Sequence, residues 1–324
     1  MKNKLLICSD FDSESGLGHL SRAQTFFDAI EKESYEIHLC SEMNPNNFGL
    51  KIPLLDIAIW KPFLEAKTEK YSVIYIDTYD SNILEQIKIW DVNRKILLLD
   101  SNFRQSIPCW PDFVIDLERT SPRHFGNYKY LHGTALIGSA IQKLKRSELS
   151  NRIQGKFPSK VVVNLGGSNR ALKYLMKFNS IFKTQTDIQF VIFCSSVILP
   201  DLETNLRSLD NTIVKCIGDE YFSELMSCDL LITSSGSSFL EAIYMKIPTV
   251  IFDLFENARL NFETFRKNSN VLYSGGVDDL DGDWFMNLSI TDDRSNFFAD
   301  YESLDDQLNF IDVEMLKSAL ISIL

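Results

Sequence analysis

Short apolar segments alternate with helix-length amphipathic segments along most of this chain, and this alternation constrains the fold more than any other feature. Segments such as 5–8 and 161–165 are apolar throughout, which is typical of strands buried on both faces of a parallel sheet. Stretches such as 238–245 have helical length and spacing. The alternation predicts an α/β fold with doubly wound parallel sheets. The candidate strands are 5–8, 36–40, 73–76, 96–99, 113–115, 161–165, 190–193, 213–215, 230–233 and 249–252.

The pattern restarts after a polar, basic segment at 146–159, which indicates two domains joined by a linker. The chain has 324 residues, enough for two domains of ordinary size. We predict two Rossmann-like domains, at 1–145 and 160–324, that face each other across a cleft. The final helical segment, 313–324, has the option of packing back on the first domain. Because ligands bind beyond the carboxyl ends of the strands in such sheets, we expect the site to lie in the cleft.

Charge and cysteine spacing argue against several classes of function. The net charge of −11 disfavours broad nucleic-acid binding, which needs a basic surface. The six cysteines include no C-x-x-C pair, and we expect neither a metal site nor a cofactor. We find no signal peptide and no apolar stretch long enough to span a membrane, so we expect a cytoplasmic protein. Small anionic ligands stay possible because helix N-termini bind them locally.

The first predicted strand runs into a glycine turn and a helix start. Gly16 and Gly18 let backbone amides approach a ligand closely, and His19 stands where the helix begins. Histidine is the side chain best suited to proton transfer near neutral pH. A dinucleotide fingerprint needs a third glycine where Ser21 stands, so we disfavour that interpretation. A structural, helix-capping role for His19 stays open at this point.

Two further strands of the first domain end in polar residues. Asp77 and Tyr79 follow one strand, and Asn102 follows the next. Because the carboxyl ends of parallel strands share one edge of the sheet, we expect these side chains to lie near His19. An aspartate at a strand end can also cap the next helix, so it is the clustering that favours a site.

The second domain contains two turns of small polar residues, each between a strand and a helix. The turn at 234–238 places hydroxyls, a glycine and free amides at a helix start, which is typical of a diphosphate cradle. Glu241 in the following helix suits ribose hydroxyls, although a Ser-rich N-cap with a dipole-favoured glutamate explains the same pattern. Asn257 follows the next strand and is expected at the cleft. The predicted nucleotide-binding residues are Gly166, Gly167, Ser168, Ser235, Gly236, Ser237, Ser238 and Glu241.

The order of these motifs resembles the GT-B nucleotide-sugar enzymes. Within that group it looks most like the UDP-sugar hydrolases of pseudaminic acid biosynthesis, which are similar to the N-acetylglucosaminyltransferases of peptidoglycan synthesis. The matching stretches are 9–22, 76–79, 165–168, 234–241 and 256–257. The resemblance implies a GT-B fold, a nucleotide-sugar substrate, and catalysis without a metal or cofactor.

The resemblance also implies roles for single residues. His19 would be the base or the water-positioning residue, and Tyr79 would be an active-site tyrosine. The two second-domain turns would hold UDP, with Glu241 on the ribose. The residues expected to bind the rest of the substrate are Asp10, Gly16, Gly18, Arg22, Asn102 and Asn257.

We therefore predict a hydrolase that cleaves the C1–O bond of a UDP-sugar, of the UDP-diacetamido-trideoxyhexose type used in nonulosonic acid or surface-glycan biosynthesis. His19 would accept the proton of the attacking water, and the other two catalytic residues, Tyr79 and Asp77, would orient hydroxyls or amides of the sugar. The alternative is a metal-independent GT-B glycosyltransferase with a glycan or lipid acceptor. A transferase has a use for the basic run at 143–160 in peripheral membrane contact, although a solvated linker explains that run as well. A nucleotide-sugar binding protein without catalysis is the third hypothesis, and His19 and Tyr79 argue against it.

Overall fold

The computed structural model divides the chain into two compact units. One comprises Met1–Ser139 together with Asn309–Leu324, and the other comprises Ala140–Leu308. The sequence pattern instead counts the last segment with the second domain. The residues that the structure describes are 2–10, 18–44, 52–100, 109–117, 129–142, 158–166, 170–218, 220–245, 247–254, 271–275 and 309–324.

A seven-stranded parallel sheet forms the centre of the first unit. Its strands are β1 (Asn3–Ser9), β2 (Tyr35–Cys40), β3 (Ile59–Lys61), β4 (Val73–Asp77), β5 (Arg94–Asp100), β6 (Phe113–Leu117) and β7 (Lys129–His132). The strand order is β3-β2-β1-β4-β5-β6-β7. The chain therefore leaves β1 and β4 in opposite directions, so their carboxyl ends form the topological switch point. Ser9 of β1 pairs with Asp77 of β4 in register there.

Helix packing places the start of α1 at that switch point. The helices of the first unit are α1 (Gly18–Ala29), α2 (Pro53–Ile57), α3 (Phe63–Ala66) and α4 (Ser81–Lys88), and the short α5 (Ser139–Gln142) spans the boundary between the two units. On α1, Ala23, Phe26 and Phe27 are fully buried, and the ring of Phe26 stacks on Tyr75 of β4 with the centroids 4.2 Å apart. This apolar contact holds the first turn of α1 close to the end of β4.

The second unit has a six-stranded parallel sheet of the same design. The short β8 (Ala135–Ile137) still belongs to the first unit. The strands of the second unit are β9 (Lys160–Asn164), β10 (Gln189–Cys194), β11 (Thr212–Cys216), β12 (Leu230–Ser234), β13 (Thr249–Phe252) and β14 (Val271–Gly275). Its helices are α6 (Arg170–Lys177), α7 (Asn179–Thr184), α8 (Leu199–Leu206), α9 (Glu220–Ser227) and α10 (Ser237–Tyr244). The order β11-β10-β9-β12-β13-β14 places the switch point between β9 and β12.

The end of the chain returns to the first unit. It forms β15 (Phe310–Asp312) and α11 (Val313–Ile321). β15 pairs in parallel with β8, and α11 packs on α1 with Leu316 and Leu320 in the first core. Gly133 permits this close approach, because a Cβ atom there would lie 2.7 Å from the backbone oxygen of Asn309 and would overlap Ile311.

The predicted α/β class with doubly wound parallel sheets is confirmed, and all ten predicted strands are present. The helical stretch that follows β9 is interrupted between Lys177 and Asn179, where Phe178 is the N-cap of α7. The sequence pattern misses β3, β7, β8, β14 and β15. These strands have three to five residues, and β3 and β7 are sheet edges where exposed positions break the continuous apolar run.

Candidate functional site

A buried histidine–carboxylate pair lies at the switch point of the first unit. His19, the second residue of α1, is 5% exposed. Its Nδ1 lies 2.8 Å from Oδ1 of Asp77 and 3.2 Å from the backbone oxygen of Asp77. Both oxygens only accept hydrogen bonds, so we assign the proton of the neutral imidazole to Nδ1. This tautomer leaves Nε2 unprotonated.

Arg22 completes the surroundings of Asp77. Its Nε and Nη2 donate to the two carboxylate oxygens at 2.8 and 2.9 Å. Nη2 also lies 2.9 Å from Nδ1 of His19 in hydrogen-bond geometry, and a guanidinium can only donate. This contact favours a proton on Nε2, whereas the two Asp77 oxygens favour a proton on Nδ1, and we assign the proton on the basis of the two oxygens. Burial alone would raise the pKa of Asp77, yet the charge of Arg22 and the contact with His19 outweigh burial and hold that pKa well below its usual range. Asp77 therefore stays ionised.

The second imidazole nitrogen, Nε2, is the atom that could act as a base. Within the part of the chain that the structure describes, no residue forms a hydrogen bond to Nε2 of His19. A general base needs an unprotonated nitrogen and room for the group that loses a proton. His19 meets the first requirement, and Asp77 orients it as a carboxylate orients a catalytic histidine.

Asp100, at the end of β5, extends the pair into a larger cluster. It is 3% exposed, and its Oδ2 lies 3.2 Å from Nη1 of Arg22. The same oxygen accepts a short hydrogen bond from the hydroxyl of Tyr79. The Tyr79 ring meets the His19 ring edge-on, with centroids 4.9 Å apart and an interplanar angle of 79°. Burial raises the pKa of Tyr79 well above its usual value, so the hydroxyl keeps its proton.

Asp100 is absent from the residues predicted from sequence. It carries the same signal as Asp77, because both are the last residues of neighbouring strands. That signal is weak by itself, since strand-end aspartates often cap helices. The contacts to Arg22 and Tyr79 appear only in the folded chain.

Asp10 braces the turn that carries Tyr79. Its Oδ2 accepts the backbone N–H of Tyr79 at 2.7 Å, and its Oδ1 accepts the hydroxyl of Thr78 at 2.5 Å. Both carboxylate oxygens therefore have partners within the turn. Substrate binding by Asp10 stays a prediction.

The second unit presents a helix start built from small residues. β12 ends at Ser234, and α10 begins at Ser237 with Gly236 as its N-cap. Glycine supplies no side-chain cap, so the amides of the first turn and the positive end of the helix dipole are suited to an anion. Ser235 is buried, whereas Gly236, Ser237 and Ser238 are half-buried.

Asn164 links this helix start to the neighbouring glycine turn. It is 3% exposed, donates from Nδ2 to Oγ of Ser238 at 3.0 Å, and accepts the backbone N–H of Gly166 on Oδ1 at 3.0 Å. The hydroxyl of Thr233 donates to its backbone oxygen at 2.7 Å. Gly166 has a φ of 104°, a region that favours glycine. Sequence reasoning missed Asn164, whose only signal is an amide at the end of an apolar strand.

Glu241 is a buried carboxylate with no partner in the described residues. It is 7% exposed, and no hydrogen bond or ion pair joins its carboxylate to any residue that the structure describes. Burial raises its pKa to about 7. An unpaired buried carboxylate weakens the fold, and groups with such shifted pKa values are frequent at functional sites.

Some of the positions predicted from sequence lie outside the described residues. They are Gly16, Asn102, Gly167, Ser168 and Asn257. Among the residues described, no group of three or more His, Cys, Asp or Glu side chains is arranged to hold a metal ion. No helix in the same ranges is long and apolar enough to cross a membrane.

Known proteins resemble this chain in structure but not detectably in sequence. No family model and no curated protein matches it. MurG of Acinetobacter baumannii has a TM-score of 0.54 at 10% identity, over 98% of this chain and 94% of MurG. The spinosyn rhamnosyltransferase SpnG, complexed with thymidine diphosphate, has a TM-score of 0.59 at 13% identity, over 99% of both chains. The glycosyltransferase VinC, in complex with dTDP, has a TM-score of 0.58 at 13% identity, over 98% of both. These likenesses establish a GT-B fold.

Proposed function

We propose that this protein is a metal-independent glycosyltransferase that moves a sugar from a nucleoside-diphosphate donor to an acceptor hydroxyl. The observation that carries the proposal is the buried His19–Asp77 pair, which leaves Nε2 of the imidazole unprotonated and without a partner in the described residues. An acceptor hydroxyl needs such a base, whereas a protein that only binds a nucleotide-sugar does not. The GT-B fold shared with MurG, SpnG and VinC supports this class of chemistry.

In the proposed reaction, Nε2 of His19 takes the proton of the acceptor hydroxyl while that oxygen attacks C1 of the sugar. The C1–O bond to the diphosphate breaks, and the diphosphate oxygen keeps the bonding electrons. Asp77, Asp100 and Arg22 together carry one net negative charge, so protonation of His19 brings this buried cluster to neutrality. The cluster therefore stabilises the imidazolium as it forms.

The proposal assigns the nucleoside diphosphate to the second unit. The first-turn amides of α10 would bind the leaving diphosphate and stabilise its charge. The carboxylate of Glu241 would accept hydrogen bonds from sugar hydroxyls of the nucleoside and so gain partners. The thymidine diphosphate complex of SpnG and the dTDP complex of VinC support this ligand class, and UDP stays the nucleotide that the sequence favours.

Hydrolysis is the second candidate, with water in place of the acceptor. It is favoured by His19, Arg22, Asp77 and Tyr79, which carry the resemblance to the UDP-sugar hydrolases and which contact one another in the first unit. Both reactions use the same base and the same donor. The fate of the sugar therefore separates them.

The test is donor turnover with and without acceptors. UDP-sugars, including UDP-diacetamido-trideoxyhexoses, and dTDP-sugars are incubated with the protein alone and with a panel of glycan and lipid acceptors. A transferase releases nucleotide slowly by itself and faster with an acceptor, and the sugar appears on that acceptor. Rapid release of free sugar without acceptor establishes the hydrolase. Tight binding of the nucleotide without cleavage of any nucleotide-sugar, with or without acceptor, contradicts both candidates.

A further inference from the structure

We infer that Arg22, Asp100 and Tyr79 are positioning residues that set the tautomer of His19 and do not contact the sugar. The inference builds on the proposed function and extends it beyond the His19–Asp77 pair. These five side chains form a closed positioning ring. The ring runs from His19 to Asp77, Arg22, Asp100 and Tyr79, and back to His19 through the edge-on contact of the two rings.

Arg22 directs its whole guanidinium group into the positioning ring. Nε and Nη2 hold the two oxygens of Asp77, and Nη1 lies 3.2 Å from Oδ2 of Asp100. The Arg22 side chain is only 15% exposed. A planar guanidinium held on both sides by carboxylates has a fixed orientation, which a lysine ammonium cannot reproduce. This geometry therefore argues against direct substrate binding by Arg22.

Tyr79 closes the positioning ring in two ways. Its hydroxyl donates to Asp100, which leaves the phenolic proton committed inside the protein. Its aromatic ring meets the His19 ring at 79°, so it limits rotation of the imidazole about the bond to Cβ. Both contacts orient other members of the positioning ring.

The positioning ring is needed because Arg22 lies close to the imidazole of His19. Nη2 of Arg22 lies 2.9 Å from Nδ1 of His19, and a guanidinium can only donate. This contact already has hydrogen-bond geometry, so Arg22 and Asp77 compete for Nδ1. If Arg22 shifted further from Asp77 toward the imidazole, its donation to Nδ1 would prevail, and the histidine proton would move to Nε2. His19 would then lack the unprotonated Nε2 that a base requires. Asp100 prevents this shift because it anchors Nη1 on the far side of the guanidinium.

The test reads the tautomer directly in the full-length chain. Long-range proton–nitrogen NMR correlations on ¹⁵N-labelled protein distinguish the two neutral tautomers, and loss of the signal in His19→Asn assigns it among the four histidines. We expect Nδ1–H in the wild type and a substantial Nε2–H population in Asp100→Asn. The matched control Asp187→Asn, on an exposed loop position, leaves the tautomer unchanged. A wild-type Nε2–H tautomer, or unchanged Nδ1–H in Asp100→Asn, overturns the inference. No substrate is needed, so failure of the proposed function gives a separate result.

Steady-state turnover supplies the second readout. We expect Asp100→Asn to lower kcat by about 10- to 100-fold with KM unchanged, as for other groups that orient a functional residue. Tyr79→Phe keeps the ring contact and loses only the hydrogen bond to Asp100, so it lowers kcat less and also leaves KM unchanged. A rise in KM in Tyr79→Phe would place the hydroxyl on the sugar and overturn the inference. If Asp100→Asn does not fold, Tyr79→Phe carries both readouts.

Discussion

The Asp77–Asp100 cluster of the first unit and Glu241 of the second unit differ in how their buried charges are held. In the first unit, Asp77 and Asp100 are 1% and 3% exposed, and both are paired with Arg22. In the second unit, Glu241 is 7% exposed, but its carboxylate has no hydrogen bond or ion pair among the described residues. A paired buried charge keeps its geometry before any ligand arrives, whereas an unpaired one destabilises the fold until a ligand pairs it.

This difference matches the division of work that we propose. A catalytic base has to be oriented before the reaction, because small misplacements cost large factors in rate. A residue that binds a nucleotide can instead be satisfied by the nucleotide itself. In this proposal the positioning ring has all its contacts before substrate binds, whereas Glu241 and the helix start of α10 gain theirs from the bound nucleotide.

The largest expected effect comes from disrupting the His19–Asp77 pair of the first unit. Asp77→Asn puts an amide beside Nδ1 of His19 and favours the wrong tautomer, so we expect kcat to fall by about 10³- to 10⁴-fold. Nucleotide binding to the second unit is expected to persist in the same preparation. Initial rates of nucleotide release and calorimetric titration with UDP check the two statements. A fall of only a few-fold would show that His19 does not depend on Asp77.

Replacing a carboxylate by an amide in the second unit, at Glu241, is expected to stabilise the fold. At pH 8, above the pKa of about 7, Glu241 is a charged group in a buried place. Glu241→Gln removes that charge, so we expect the free energy of unfolding to rise by about 1–3 kcal/mol. Nucleotide affinity is expected to fall about tenfold, because an amide accepts hydrogen bonds more weakly than a carboxylate. Urea unfolding and UDP titration measure both, and lower stability of the variant would contradict the unpaired carboxylate.

The pH dependence of binding sharpens the comparison. Burial raises the pKa of Glu241 from 4.5 to about 7, so the folded protein holds a proton on it below pH 7. Ribose hydroxyls are bound best by the ionised form, so UDP affinity is expected to fall up to about tenfold per pH unit as pH drops below 7. Titrations between pH 6 and 8 measure this slope. Glu241→Gln is the control, since protonation of UDP itself affects both proteins equally. The same slope in both would exclude Glu241 as the titrating group.

The smallest effect concerns the link between the two turns of the second unit. Ser238→Ala removes the partner of the Asn164 amide at 3.0 Å. A hydrogen bond of this kind contributes about 1 kcal/mol, so UDP affinity is expected to fall about fivefold. Ser208→Ala, at an exposed position of the same unit, is the matched control and is expected to bind normally. Equal affinities in both variants would show that Asn164 does not organise the helix start.

The fold could be predicted well because its signal is local and repeated. Fully apolar runs such as 161–165 mark strands buried on both faces, and their alternation with helices dictates parallel sheets. The last segment is harder. Its apolar residues predict a helix, but only the tight passage of Gly133 beside Ile311 shows where it packs.

The site could be predicted in part for a similar reason. His19 and Asp77 stand at strand and helix ends, which the alternation itself locates at one edge of the sheet. Asp100 and Asn164 carry equally short signals, and their importance comes from partners far away in sequence. The role of Arg22 could not be inferred either, since an arginine near a substrate site and an arginine between two buried carboxylates look alike in sequence.

The most direct test of the proposed division of work is the rate of nucleotide release at saturating nucleotide-sugar, compared between the wild type and His19→Ala. We expect release from the variant to be slower by about three orders of magnitude, with UDP bound as tightly as by the wild type. Release at the wild-type rate would contradict the assignment of His19 as the base.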